Sequence, residues 1–344
     1  KVNLLADEFN KKSKYVFMSK KDKRNYAARV YKNIKSITDI VNLKDNANKF
    51  DFMNDDKFVK LYNLIPVLEE LNNIIGMDSV KDTIFKSICY FIHGLHNNTE
   101  LNHVMITGPP GVGKTTIAKI IGKIYLNLGF LENNNFITAR RSDLIAKYLG
   151  QTAIKTQKVI DSALGGVLFI DEVYSLGNKE KRDSFAKECI DTLNQNMTRD
   201  EPWLLIVGGY KDEIEKEFLS FNRGLERRFT VRLNIDGYNA DELYKILLKF
   251  IKDDGWNIEN NAITVNDIQK NIKLFKFFAG DMQKIFQKAK QYYSIRLMQN
   301  SLTLSDNNKN SLLLTRNDII TSIDSIVNTN NNDMSDHVKN YMYI

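Results

Sequence analysis

The sequence predicts an α/β fold: a parallel sheet sandwiched by helices, followed by a small all-α domain and preceded by a basic helical extension. Three observations predict it. Between about residues 61 and 235, short continuous apolar runs alternate with helix-length amphipathic stretches, the pattern of strands buried on both faces. After Asp236 only helical periodicity continues. The excess of positive charge is confined to the start of the chain, where residues 1–60 hold 15 Lys/Arg against 8 Asp/Glu, whereas residues 61–344 hold 34 of each sign.

In order, Pro66 is expected to open a helix through Val67-Leu68-Glu69-Glu70-Leu71, because proline suits a first helical turn. Gly76 ends it, and a second helix is expected from Ser79 to His93. The expected strands are Val104–Thr107, Phe136–Ala139, Val167–Asp171, Trp203–Val207 and Phe229–Leu233. Helices are expected between them near Lys114–Asn127, Ser142–Tyr148, Ala153–Leu164 and Ser184–Met197. Asn239 and Glu242 form a capping pair for the next helix, and a long helix runs from about Asp281 to Leu297. The expected domains are a basic extension at 1–60, an α/β domain at 61–235, a helical domain at 236–325 and a polar tail at 326–344.

Composition narrows the class. Apolar residues make up 43% and charged residues 26% of the 344, as in ordinary globular proteins. The apolar runs Gly166–Ile170 and Trp203–Val207 are far shorter than the roughly 20 residues that span a bilayer, so no membrane span is expected. Cys89 and Cys189 cannot build a disulfide framework or a four-ligand zinc site. Free thiols in the cytoplasm or another reducing intracellular compartment are the expectation. The chain opens at Lys1 without Met, so a longer protein or a removed targeting peptide stays open. His93, His96 and His103 lack the carboxylates or cysteines that would complete a metal site and read as structural. The basic extension, with Tyr15, Phe17, Tyr26 and Tyr31 interleaved, could contact nucleic acid, but a solvated helical face is the favoured reading.

The chemistry-bearing motif is Gly108-Pro109-Pro110-Gly111-Val112-Gly113-Lys114-Thr115, a full G-x-x-x-x-G-K-[ST] phosphate loop between a strand and a helix. Such a loop turns backbone N–H groups toward phosphate oxygens at a helix N-terminus. Lys114 would neutralise the β- and γ-phosphates and Thr115 would ligate Mg²⁺. The apolar strand Val167–Ile170 ends in Asp171-Glu172. Asp171 would hold Mg²⁺ through water beside Thr115, and Glu172 would orient and deprotonate the attacking water.

With these motifs the chain resembles AAA+ ATPases, and within them the branch of the red-type Rubisco activase CbbX (CfxQ) and stage V sporulation protein K. The resemblance covers about residues 64–300. It rests on Ile75–Lys81, Thr107–Thr116, Ser142–Ala153, Gly165–Tyr174, Val207-Gly208-Gly209-Tyr210 and Gly224–Phe229. It implies a P-loop NTPase domain with a helical lid, ATP and Mg²⁺ as cofactors, a homo-oligomeric ring, usually a hexamer, and a protein substrate. Ile75 and Gly76 would lie near the adenine, with Pro110, Gly111, Val112, Gly113 and Thr116 completing the nucleotide loop. Arg228 matches the arginine finger that reaches a neighbouring subunit's nucleotide, with Arg227 as a rival. Tyr148-Leu149-Gly150 matches the aromatic pore loop that grips an unfolded polypeptide.

Two positions depart from the family pattern. Strand 4 ends in Gly208-Gly209-Tyr210, where many members carry a polar residue, commonly asparagine. In the lid the family's arginine is Gln283, with Lys284 as the substitute cation beside the nucleotide. The expected function is therefore an Mg-ATP-hydrolysing ring that remodels or threads a protein. Two alternatives stay open: a nucleic-acid-handling initiator or loader that uses residues 1–60, and a nucleotide-dependent scaffold with little turnover.

Overall fold

The computed structural model describes residues 20–46, 56–95, 103–148, 150–177, 183–199, 201–299 and 312–341. These fall into two compact units. The first comprises the described residues up to Thr107 together with Lys114–Ile235, and the second joins Gly108–Gly113 to the described residues from Asp236 onward.

In the first unit, helix α1 (Lys20–Asn33) precedes α2 (Asp56–Asn72) and α3 (Asp78–Ile92). Pro66 lies inside α2 instead of opening it. An interior proline costs about 3 kcal/mol. Here Phe58, Leu61, Leu64, Ile65, Val67, Leu68 and Leu71 are all buried along the helix, and each such side chain contributes roughly 1.5–3 kcal/mol on burial, which outweighs it. One helix therefore crosses the expected boundary at residue 60. The densest basic cluster, Lys11–Lys14, and Tyr15, Phe17, His96 and Leu149 lie outside the described residues.

Five parallel strands follow: β1 (Val104–Thr107), β2 (Phe136–Ala139), β3 (Val167–Ile170), β4 (Leu204–Gly209) and β5 (Val231–Asn234). They are ordered β2-β3-β4-β1-β5. Helices α4 (Lys114–Asn127), α5 (Thr152–Ser162) and α6 (Ser184–Asn196) connect them. Leu168, Ile170, Leu205 and Val207 have no exposed surface, which explains the unbroken apolar runs. Register fixes which strand ends meet: Thr107 pairs with Gly209, and Ile170 pairs with Val207. The carboxyl ends of β1, β3 and β4 thus lie side by side, the edge where open α/β sheets bind ligands. The expected helix Ser142–Tyr148 is only the turn Arg141–Leu144, because Ile145 adopts extended backbone.

The second unit is built on α7 (Ala240–Asp253), α8 (Val265–Asn271), α9 (Ala279–Gln299) and α10 (Arg316–Tyr341). Asn239 and Glu242 cap α7 reciprocally, each side chain accepting the other's backbone N–H at 2.9 and 2.8 Å. The unit is not purely helical, since β6 (Asn257–Ile258) and β7 (Leu313–Leu314) form a two-residue parallel ladder too short to leave a periodic signal. Helix α10 crosses the stretch expected as a tail after residue 325, extending a helix seeded by buried Ile319, Ile323 and Ile326. Among the described residues no helix is long and apolar enough to cross a membrane.

His103, just before β1, is fully buried beside Trp203 and Phe229. The Leu205 N–H donates to its Nδ1 at 3.0 Å, so Nε2 carries the proton and donates to the Met197 carbonyl at 3.3 Å. Burial, with a smaller contribution from the Arg228 charge, pushes its pKa down to about 4. A group depressed on folding stabilises the neutral-pH protein and loses that contribution on acidification. Unfolding free energy should fall by about 2 kcal/mol between pH 7 and pH 5 from this group alone. Chemical denaturation of the wild type and of His103→Phe at both pH values measures the difference; equal pH slopes in the two proteins would contradict it.

Candidate functional site

Along the carboxyl edge of the sheet, the end of β3 and the start of α4 bring three charged side chains together. Lys114 is half-buried, and burial lowers its pKa while the negative charges of Asp171 and Glu172 oppose that shift. The three groups are therefore electrostatic neighbours although Lys114 is 57 residues from Asp171. Thr115 and Thr116 follow on the exposed first turn of α4. Asp171 receives the Glu172 N–H on its Oδ1 at 3.0 Å. Glu172 itself has φ +52°, a left-handed backbone that a residue with a Cβ adopts at a cost of order 1 kcal/mol. That turn leads directly into the 3-10 turn Val173–Leu176.

Sequence reasoning missed the residues that buttress this edge. Arg141 donates from Nη1 to the carbonyls of Ser175 and Leu176 at 2.6 and 3.1 Å, and from Nη2 to Asp183 at 2.6 Å. Asp183 in turn caps α6 through the N–H groups of Phe185 and Ala186. One guanidinium thus ties the turn after Glu172 to the next helix. Tyr174 and Tyr210 pack with ring centroids 5.8 Å apart, and the Lys114 ammonium stands 5.7 Å from the Tyr210 ring centroid. The Val173-Tyr174 and Gly209-Tyr210 pairs are visible as motif edges, but no spacing rule predicts that two tyrosines 36 residues apart will pack together.

Gly76 lies in the turn between α2 and α3 with φ +68°, next to half-buried Ile75. Within the second unit, Gly111 has φ +74°, and a Cβ there would fall 2.1 Å from the Phe277 carbonyl oxygen, so the loop needs glycine twice over. Val112 is buried and its carbonyl accepts the Tyr238 hydroxyl at 3.0 Å, fixing the loop between half-buried Pro110 and Gly113. Lys284 stands 3.7 Å from Asp281 Oδ1 and 4.7 Å from the Phe277 ring centroid, so its charge already faces a carboxylate that has no exposed surface. Gln283 beside it is exposed.

Arg228 is half-buried and donates from Nη1 to both the backbone carbonyl and Oδ1 of Asn194, whereas Arg227 is exposed. Tyr148 is 69% exposed on the loop after Leu144. The start of that loop is anchored to α5: Lys155 Nζ donates to the carbonyls of Ser142 and Ile145, and Thr156 donates to the carbonyl of Leu144. Tyr148 is therefore presented to solvent on a tethered loop, with Gly150 at φ +77° two residues on.

The residues present fit a magnesium nucleotide by donor chemistry. The first unit offers a hydroxyl, a carboxylate and a lysine in Thr115, Asp171 and Lys114, the second unit a loop with glycine geometry, and Mg²⁺ normally takes only one or two protein ligands beside phosphate and water. Among the described residues no group of three His, Cys, Asp or Glu could hold a metal by itself.

Comparison with known proteins agrees with this geometry. Residues 104–233 match the model of the ATPase family associated with various cellular activities (AAA). Stage V sporulation protein K of Bacillus subtilis is 32% identical over 247 residues, covering 67% of this chain and 75% of that protein. The chain belongs to the AAA family of ATPases. Within the family it falls in the branch of the cfxQ-like proteins and stage V sporulation protein K, and that membership makes ATP hydrolysis its chemical class. A putative cfxQ-like protein of Acanthamoeba polyphaga mimivirus is 38% identical over 237 residues, covering 68% of this chain and 58% of that protein. The ESX-3 secretion system protein EccA3 of Mycolicibacterium smegmatis is 38% identical over 198 residues, covering 55% of this chain and 32% of that protein. The chain thus spans little more than half of the viral relative and about a third of the secretion protein. Among solved AAA structures, the ADP complex of the FIGL-1 AAA domain superposes with a TM-score of 0.51 at 20% identity, covering 74% of this chain and 83% of that chain. The Thermotoga maritima RuvB branch migration motor superposes with a TM-score of 0.51 at 19% identity, covering 74% and 71%. At such identities these two structures speak for the AAA fold alone.

The geometry at the end of β4 explains the departure from the family pattern. A Cβ at Gly209 would lie 2.8 Å from the Tyr174 ring, closer than real contacts allow. Installing the asparagine common elsewhere in the AAA family, as Gly209→Asn, should therefore destabilise the protein by about 1–3 kcal/mol through overpacking. Thermal unfolding measures this, and an unchanged Tm would show that Tyr174 yields freely.

Proposed function

We propose that the chain is an Mg-ATP-hydrolysing, ring-forming motor that remodels or threads a protein substrate. The observation that carries the chemistry is the convergence of Lys114, Asp171 and Glu172 at one sheet edge. In this reading Ile75 and Gly76 flank the adenine, residues 110–113 cradle the phosphates, and Lys114 neutralises the β- and γ-phosphates as charge moves between them. Thr115 and Asp171 would hold Mg²⁺, Asp171 through water, and the ion would supply further charge neutralisation at the phosphates. Glu172 accepts a proton from the attacking water as general base.

The arginine pair supports assembly. Arg228 is anchored by Asn194, and exposed Arg227 precedes it. An arginine supplied to a neighbour's nucleotide makes turnover depend on contact between subunits. Exposure of Tyr148 on an anchored loop supports a polypeptide substrate, because an aromatic face binds apolar side chains of any sequence. Tyr148 is thus read as the gripping residue of a Tyr148-Leu149-Gly150 loop. One observation favours a scaffold with little turnover instead: Gln283 carries no charge and Lys284 faces Asp281, leaving the lid without an uncommitted cation at the family's arginine position.

A steady-state ATPase assay decides between motor and scaffold. Glu172→Gln should bind ATP as the wild type does while turnover falls by about 10²–10⁴-fold, the range of general-base catalysis. Parental turnover in the variant would refute the assignment of Glu172, and negligible turnover in the wild type would favour the scaffold. In the ATP-trapped Glu172→Gln background, a fluorescently labelled unfolded polypeptide should be retained, and Tyr148→Ala should release it. Equal retention by both proteins would remove Tyr148 from substrate binding.

A further inference from the structure

Gln283 gives the helical domain no charge for phosphate, yet that domain holds the phosphate loop by other means. Gly108–Gly113 belong to the second unit, with the described residues from Asp236 onward. Two contacts join them. Just before α7, buried Tyr238 donates its hydroxyl to the Val112 carbonyl at 3.0 Å, and Val112 itself has no exposed surface. Just before α9, the Phe277 carbonyl oxygen stands 2.1 Å from where a Cβ at Gly111 would fall. Several constraints at once build the turn that delivers this carbonyl. Asp281 accepts the Phe277 N–H on Oδ2 at 2.8 Å, and the Phe277 carbonyl accepts the Gly280 N–H at 2.8 Å. Phe278 has φ +44°, a left-handed backbone that a bulky residue keeps only where its surroundings over-determine it. Its ring meets Tyr238 in a T-shaped contact, centroids 6.3 Å apart, and fills the space over Gly237, where a Cβ would lie 2.4 Å from it. Tyr238 and the strained turn therefore brace one another, and both meet the loop.

We propose that Tyr238 is a positioning residue for ATP: by holding the Val112 carbonyl it fixes the Val112–Gly113 peptide so that the Gly113 N–H is offered to phosphate, a hold of the helical domain on the nucleotide that needs no arginine at position 283. This rests on the reading of residues 110–113 as the phosphate cradle. The peptide between Val112 and Gly113 is trans and planar, so its carbonyl and its N–H point in opposite directions and move as one body. Anchoring the first therefore aims the second. The anchor is needed because Gly113, at φ +97°, lies where glycine moves freely and lets its peptide turn over at little steric cost. The hydroxyl also remains a donor. Burial first, then the Glu242 charge, pushes the Tyr238 phenol up to about 12.

Tyr238→Phe tests this, because it keeps the ring that packs on Phe278 and removes only the donor. In a fluorescence titration the variant should bind MgATP about tenfold more weakly. A buried carbonyl left without its donor favours turning the peptide over, and only the fraction still in the receiving conformation binds. At saturating ATP, kcat should stay within about twofold, since bound phosphate restores the peptide. A merely structural role would lower the Tm of the nucleotide-free protein and leave the Kd for ATP in place. Lys114→Ala is titrated beside it. If Lys114→Ala loses ATP affinity while Tyr238→Phe keeps the parental Kd, whatever its kcat or Tm, the positioning role is overturned and the phosphate reading of the loop survives. If the wild type shows no affinity for MgATP, both fall.

Discussion

The arrangement depends on placing a lysine and two carboxylates at the open edge of an apolar sheet, where the lysine is half-buried. Burial works against the Lys114 charge, and the neighbouring Asp171 and Glu172 offset part of that penalty. An uncompensated half-buried charge would either lose its proton or pull the loop toward water. The sheet makes the compensation possible, because its register sets the ends of β1, β3 and β4 side by side. Everything apolar beneath that edge, from Leu168 to Val207, serves to hold a few polar groups at fixed separations.

Around the charged edge, positions are set by packing and by backbone hydrogen bonds more than by further ion pairs. The Arg141 guanidinium spans two carbonyls and the cap of α6, so the turn carrying Tyr174 is tied to two elements. The Tyr174 ring, tilted against Tyr210, then fills the space above Gly209. In the second unit the same economy appears at Asp281, which accepts the Phe277 N–H at 2.8 Å and faces Lys284.

Much of this was legible in the sequence because it rests on local rules. The strand cores, the helix Lys114–Asn127 and the Asn239–Glu242 cap follow from periodicity and capping chemistry, which neighbouring residues decide. The phosphate loop and the acidic strand end followed from motif and spacing, and the family from their order. What failed locally failed for tertiary reasons. Pro66 is carried inside α2 by a buried stripe on both sides of it, and the turn at Ile145 is set by α5, where Thr152 accepts the Ala146 N–H and Lys155 and Thr156 donate to the carbonyls of Ile145 and Leu144. The pairing of Tyr174 with Tyr210 and the span of Arg141 join residues more than 30 positions apart, for which a single sequence holds no signal.

The central claim is that Lys114 and the acidic end of β3 converge on a magnesium-bound triphosphate. The most direct measurement is a fluorescence titration of ATP, ADP and AMP with Mg²⁺ against the wild type and Lys114→Ala. The wild type should bind ATP and ADP but not AMP, and Lys114→Ala should weaken ATP binding at least tenfold. Equal affinity of both proteins for ATP, or binding by the wild type that ignores the number of phosphates, would contradict it.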